Sequence, residues 1–424
     1  MARCRSITGF KAVGSENYKY IQARIGTICL LKSEQEEDSM VNYTCMQNVK
    51  LMVGEGCHTQ MGEALKEAGY KKAFVVYDGG VKAAGIIDQV LASLRAAGMD
   101  YAEFDKVLPD PPAEVVDEGA KLCNAAACDC VIGIGGGSAI DTAKGINILR
   151  VNGGNILDYA NPEKEMKKSS GLMSVPTTSG TGSEMSNGLI ISDTANNSKV
   201  AILVVNGMSE FAVVDPAFAA GMPLGLTIMT GLDVFSHAAE GYTSALANPM
   251  TDLINISIMQ TVAKYLPRAV ADGKDMEART KMHIAASLGG WMLANSSAHV
   301  GHSIAHVIGG MYHIPHGACC AYSLPVVLEM VSAALPEKVK TVGEILGAVY
   351  DETEDAQQIG EKTAACYKKF AYEIVGVKQI REYTTDDTKL DELAKRVAAE
   401  PLAALSSVAI TEENAMEMLK KIFA

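Results

Sequence analysis

The chain has 424 residues, of which 21% are charged and 48% hydrophobic, and its formal net charge is −13. That length predicts two domains rather than one small core, and the composition is that of an ordinary globular protein. The acidic balance argues against a nucleic-acid partner, whose phosphates favour basic surfaces, and against an anionic membrane surface; no apolar run approaches the roughly 18 residues of a bilayer span.

The first 39 residues do not read like the rest. Arg3, Arg5, Lys11, Lys19 and Arg24 flank one apolar stretch, Ile25 to Leu31, which is short for a signal core. Glu34, Glu36, Glu37 and Asp38 form an acidic run that reads as a solvated linker. Residues 1–39 are therefore expected to be an extension without a catalytic part, with the main fold beginning near Met40. The ten cysteines contain no C-x-x-C spacing, although Cys128 and Cys130 are separated by one residue and Cys319 and Cys320 are adjacent. Scattered thiols of this kind predict a reduced, cytoplasmic protein.

From residue 73 onward, short apolar runs alternate with helical stretches. Residues 73–77 read as a buried strand turned by Asp78-Gly79-Gly80, residues 81–97 as a helix, 101–107 as extended, 113–126 as a helix and 130–134 as a strand. Such alternation implies βαβ units and a parallel sheet. After about Met222 the strand signal fades, and six Ala/Leu/Met-rich segments follow: 224–246, 250–267, 277–309, 323–349, 356–374 and 387–399. The expected fold is an α/β domain with a parallel sheet over residues 40–220, followed by an all-α domain over 221–424.

Between the strand at 130–134 and the next helix stands Gly135-Gly136-Gly137-Ser138-Ala139-Ile140-Asp141. Glycines let a backbone approach a pyrophosphate, and free amides at a helix start favour an anion. Ser138 is expected to be the N-cap, with Asp141 three residues on as its capping-box partner. Thr177, Thr178, Ser179, Thr181 and Ser183 crowd hydroxyls into the loop after Pro176, suited to ribose and phosphate. Asp78, at the end of an early strand, can accept from ribose hydroxyls and would repel a 2′-phosphate; it is also a credible turn former before Gly79.

Further on, Asp233 and His237 are four apart, as are His302 and His306, and His316 follows between Pro315 and Gly317. Residues four apart on a helix share a face, so one carboxylate and several imidazoles can point into one cavity. Fe²⁺ or Zn²⁺ accepts that nitrogen and oxygen mix. Spacing alone does not choose which histidines bind. The sequence contains no Tyr-x-x-x-Lys pattern and no cysteine-rich zinc pattern.

Taken together, these residues resemble the iron-containing (group III) alcohol dehydrogenases from about Met40 to Ala424. The carriers are Gly135-Gly136-Gly137-Ser138 with Asp141-Thr142-Ala143-Lys144, the loop from Pro176 to Glu184, Thr230-Gly231-Leu232-Asp233 with His237-Ala238-Ala239-Glu240, and Gly301-His302 through His306 to Pro315-His316-Gly317. The resemblance implies a dinucleotide-binding N-terminal domain, a helical metal-binding C-terminal domain and an active site in the cleft between them. It implies Asp233, His237, His302 and His316 as metal ligands, and His306 as a proton-relay residue beside them. His283, His299 and His313 fall outside the ligand positions and are read as structural. Gly136, Gly137, Ser138 and Asp141 would form the pyrophosphate segment, Thr177, Thr178 and Thr181 would contact phosphate, ribose or nicotinamide, Lys199 a ribose, and Asp78 would favour NAD over NADP. Asp110 stands where an Asn is common. The segment 188–193 is placed near the substrate pocket. The implied activity is NAD-dependent interconversion of a small primary alcohol or diol and its aldehyde, with Fe²⁺ or Zn²⁺, in a homodimer or larger homo-oligomer. The competing readings are a glycerol-dehydrogenase-like zinc enzyme, a dehydroquinate-synthase-like relative, and a non-catalytic structural subunit of the same fold.

Overall fold

The computed structural model describes residues 42–196 and 198–424. The extension expected over residues 1–39 lies outside the described residues.

Six parallel strands form the main sheet in the order β1-β8-β5-β4-β2-β3, where β1 is Lys50–Val53, β2 Lys72–Tyr77, β3 Asp100–Phe104, β4 Cys130–Gly135, β5 Leu172–Pro176 and β8 Phe211–Val214. Side chains alternate across a strand, and here each face has its own core. Ala73, Val75, Tyr77, Ile132 and Ile134 pack with Leu65, Val90 and Leu94 on one face. Phe74, Val76 and Val131 pack with Val116, Ala120 and Ile146 on the other. A sheet covered on both faces calls for continuous apolar strands, which is how residues 73–77 and 130–134 read.

After β3 the chain crosses back over β2 to build β4 and then β5. The order therefore reverses between β2 and β4. A crevice opens beyond the carboxyl ends of strands at such a point, the usual place for a ligand in an open α/β sheet. Asp78 closes β2 and the three-glycine turn closes β4, so both face this crevice.

Three local departures from the sequence reading have identifiable causes. The helix expected over 81–97 is broken by Gly85 at φ 69, and a new helix starts at Ile86. The segment 277–309 divides into the helices Met276–Asn295 and Val300–Tyr312, with Ser297 at φ 62 between them. The segment 323–349 divides likewise: one helix spans His316–Val331, and Pro336 opens the next. A further departure is an antiparallel hairpin, β6 (Gly188–Asp193) with β7 (Ser198–Leu203), where continued βα alternation was expected. Its apolar side, with Leu189, Ile191 and Ile202, seals one core of the sheet.

From Leu224 onward the described residues are helical apart from connecting segments. Phe235, Leu266, Ala286, Ile304, Val327 and Leu419 belong to one large core that spans this half. No helix among the described residues is long and apolar enough to cross a membrane.

Candidate active site

Asp233 and His237 lie on the helix Leu224–Thr243, His302 and His306 on Val300–Tyr312, and His316 is the first residue of the next helix. The three helices converge because two glycines permit it. A Cβ on Gly317 would come within 2.2 Å of the Met229 carbonyl oxygen, and one on Gly301 within 2.5 Å of Glu240 Oε1. Any larger residue would push His316 away from Asp233, or the start of the His302 helix away from Glu240.

At the convergence point Asp233 Oδ1 lies 3.7 Å from Nε2 of His237, 3.7 Å from Nε2 of His302 and 3.7 Å from Nε2 of His316. These separations are too long for hydrogen bonds. Oδ1 has no hydrogen-bond partner, although Asp233 is only 3% exposed. A buried ionised oxygen without a partner is costly, and three imidazole nitrogens arranged about it supply no proton to it. A cation between them removes that cost, so the donor set fits a divalent metal.

The electrostatics divide the imidazoles: burial opposes a charge on His302, but Cys320, Glu240 and Asp233 outweigh it and raise its pKa well above the usual value, so a metal would have to displace its proton. Burial pushes His237 down to about 4 and His316 to about 3, so both are neutral, ligand-competent imidazoles near pH 7. Burial opposes ionisation of Asp233, but His237, His316 and His302 outweigh it and hold the carboxyl well below its usual range. Burial opposes ionisation of Glu240 too, but His302, His299 and the His299 amide outweigh it and bring the carboxyl down to about 2.

Glu240, a residue that sequence reasoning left within a motif, braces the site from behind. Its Oε1 lies 2.6 Å from His302 Nδ1, and its Oε2 accepts from the amides of His299 at 2.8 Å and Gly301 at 3.0 Å. A carboxylate at Nδ1 holds the ring with Nε2 turned toward Asp233, the nitrogen that would bind a metal. Cys320 was missed altogether. Its Sγ sits 3.5 Å from His316 Nε2 and 3.8 Å from His302 Nε2. The available signal was its position four residues after His316 on a helix.

His306 stands beside the cluster: its ring stacks on His316 at 5.5 Å, and its Nδ1 lies 2.9 Å from Glu400 Oε1. The remaining histidines are occupied elsewhere. His283 Nδ1 meets Ser179 Oγ at 3.0 Å, His299 Nε2 meets Thr243 Oγ1 at 2.9 Å, and His313 ends its helix at φ 54.

Toward the sheet, the helix after β4 starts at Gly137, with Gly136 as N-cap and no side-chain cap. The expected Ser138–Asp141 capping box does not form, because Ser138 is already inside the helix. Asp141 turns into the protein instead, accepting from Ser183 Oγ and, at 2.9 Å, from the Ile190 amide. Lys144, fully buried, donates to the Gly188 carbonyl at 2.7 Å and to Ser183 Oγ at 3.3 Å. The first-turn amides of this helix therefore have no competing side-chain cap and can receive an anion. The threonine loop lies directly over them. A Cβ on Gly136 would stand 3.4 Å from Thr178 Oγ1, and one on Gly137 would stand 2.9 Å from Thr181 Cγ2; the Thr177 amide donates to Gly135 O at 2.9 Å. Asp78 caps the short helix after β2 through Oδ1, and its Oδ2 faces the Gly135 turn. Lys199, on β7, pairs with Asp110 at 2.6 Å on the surface.

Comparison with known proteins gives this arrangement a family. The family model for iron-containing alcohol dehydrogenase matches residues 48–216, and that for the C-terminal part of the Fe-containing alcohol dehydrogenase family matches residues 227–423. The chain belongs to the iron-containing alcohol dehydrogenase family. It is 38% identical to the NAD-dependent methanol dehydrogenase of Bacillus methanolicus over 70% of this chain and 78% of that one. It is 35% identical to the 1,3-propanediol dehydrogenase of Citrobacter freundii over 72% and 80% of the two chains. The solved structure of an alcohol dehydrogenase from Oenococcus oeni superposes with a TM-score of 0.85 at 30% identity, covering 90% of this chain and all of that one. An iron-containing alcohol dehydrogenase with an N-terminal parallel-sheet domain and a helical C-terminal domain is what the sequence reading expected, and the chain is an oxidoreductase of that class.

Proposed function

We propose that this enzyme interconverts a small primary alcohol or diol and its aldehyde by hydride transfer with NAD, holding one divalent ion, Fe²⁺, at Asp233, His237, His302 and His316. The observation that carries the reading is the partnerless Asp233 Oδ1, 3.7 Å from each of three imidazole nitrogens. The methanol and 1,3-propanediol dehydrogenases among its relatives support a small substrate. When bound, the metal supplies a Lewis acid that lowers an alcohol's pKa or polarises an aldehyde, and NAD supplies the hydride acceptor.

The chain's own residues do the rest. Gly136, Gly137 and Ser138 present backbone amides to the pyrophosphate, with Asp141 clamping the strand beyond it. Thr177, Thr178 and Thr181 close over the dinucleotide, Lys199 reaches the ribose from the hairpin, and Asp78 selects NAD by repelling a 2′-phosphate. Glu240 holds the His302 ring with Nε2 turned toward Asp233. Glu400 accepts from His306 Nδ1–H, which leaves the opposite ring nitrogen to take the proton released by the alcohol. The domain division at residue 220 separates dinucleotide binding from metal binding. A homodimer or larger assembly and a cytoplasmic location complete the proposal, to be read by light scattering and cell fractionation.

The test is an anaerobic panel of small aldehydes with NADH after loading with Fe²⁺ and with Zn²⁺, beside His302→Ala. Turnover and bound metal should disappear together in His302→Ala. Full activity with stoichiometric loss of metal would overturn the ligand assignment; activity with Zn²⁺ alone would replace the iron, and glycerol as the preferred substrate would move the enzyme to the glycerol dehydrogenase branch.

A further inference from the structure

A thiol stands among the donor atoms of the proposed metal site. Asp233, His302, His316 and Cys320 each offer one atom, and these atoms all lie within 4.8 Å of one another. We propose that the Cys320 thiolate is a further ligand, so that this enzyme holds its ion in a mixed oxygen, nitrogen and sulfur shell. The proposal rests on the metal-site reading and extends it.

Geometry is the first argument. Zinc sits about 2.1 Å from an imidazole nitrogen and about 2.3 Å from a thiolate sulfur; at the roughly 90° to 120° angles of a five-donor shell the two donors stand about 3.1 to 3.8 Å apart. Cys320 Sγ is 3.5 Å from His316 Nε2 and 3.8 Å from His302 Nε2, within that range. The second argument is independent of the cysteine. Asp233 Oδ1, 3% exposed and without a hydrogen-bond partner, points into the same knot and calls for a cation there. The third is the contrast with the neighbouring thiol. Cys319 is equally buried, but its Sγ turns to the Ile314 carbonyl oxygen at 3.8 Å, away from the imidazoles. Adjacent helical residues point about 100° apart, so only Cys320 shares the His316 face.

Coordination breaks the S–H bond and forms a metal–sulfur bond; the proton leaves to solvent and no oxidation state changes. A soft donor moves the site's preference toward zinc and cobalt(II) and away from magnesium and manganese. It also brings a second negative ligand next to Asp233, which tempers the Lewis acidity of the ion.

Cobalt(II) tests this without any turnover assay. Metal-free enzyme is titrated anaerobically with CoCl₂: visible ligand-field bands report uptake, and an intense near-ultraviolet band reports cobalt–thiolate charge transfer. The expected result is one equivalent bound, with the charge-transfer band present in wild type and in Cys319→Ala and absent in Cys320→Ala. Cobalt bound with no charge-transfer band in wild type, or with the band unchanged in Cys320→Ala, overturns the sulfur ligand and leaves the metal site intact. No stoichiometric uptake by wild type overturns both. Should Cys320→Ala fail to fold, X-ray absorption of zinc-loaded wild type decides: a sulfur scatterer at about 2.3 Å is expected, and a shell of nitrogen and oxygen alone refutes the proposal.

Discussion

Glu240 meets His302 twice, through the ring at Nδ1 and through the backbone at the start of its helix. One carboxylate thus holds both the ring of a proposed ligand and the start of the helix that carries it. A carboxylate behind a metal-binding imidazole is typically worth 10- to 100-fold in metal affinity. Glu240→Gln keeps the size and an acceptor for the helix amides but loses the charge. It should weaken metal binding by roughly 10- to 100-fold, measured by chelator competition, with the fold retained by circular dichroism. Unchanged affinity would reduce Glu240 to a helix cap. At this scale the sequence was readable where chemistry and spacing coincide: Asp233, His237, His302, His306 and His316 stood out as a carboxylate and imidazoles able to share one cavity, and the structure brings them together. It was silent where the chemistry is generic. Glu240 looks like any helical glutamate and Cys320 like any buried thiol until a neighbouring helix is set against them.

Among the elements, the threonine loop and the glycine turn depend on each other. Gly137 has no side chain where Thr181 packs, so the loop can rest on the amides that would receive a phosphate. Gly137→Ala places a Cβ 2.9 Å from Thr181 Cγ2, and the loop must lift. NADH affinity should fall roughly tenfold, a loss of about 1.4 kcal/mol, by fluorescence titration, while bound metal stays constant. Unaltered NADH binding would remove the loop from the dinucleotide site. Element types in the α/β half follow from periodicity, because a strand buried on both faces needs an unbroken apolar run. Helix ends were harder to read. Ser296, Ser297, Ala298 and His299 include no glycine or proline to mark the break between two helices that face one core, and only the local backbone, with Ser297 at φ 62, interrupts them. The capping box at Ser138 failed for a related reason: the glycine turn lets the helix start two residues earlier, with Gly136 as its N-cap.

For the whole molecule, the threonine loop is also the bracket between the two halves. Ser179 meets His283, Glu184 accepts from Ser287 Oγ at 2.6 Å, and Gly182 packs backbone to backbone against Gly290. A Cβ on Gly290 would stand 1.9 Å from the Gly182 carbonyl oxygen. Gly290→Ala should therefore cost about 1–3 kcal/mol of stability as an overpacked contact and weaken NADH binding together, seen in urea unfolding and in fluorescence titration. Loss of stability with full NADH affinity would show that the bracket does not shape the dinucleotide crevice. From the sequence alone came the parallel sheet, the helical second half and the glycine turn, because each depends on a local run of side chains of one kind. What only the tertiary structure decided is the meeting of those pieces: the thiol beside the imidazoles, the carboxylate behind His302, and the loop held between two glycines. These are contacts between segments distant in the chain, set by how closely backbones can approach, and no spacing along the sequence encodes that distance.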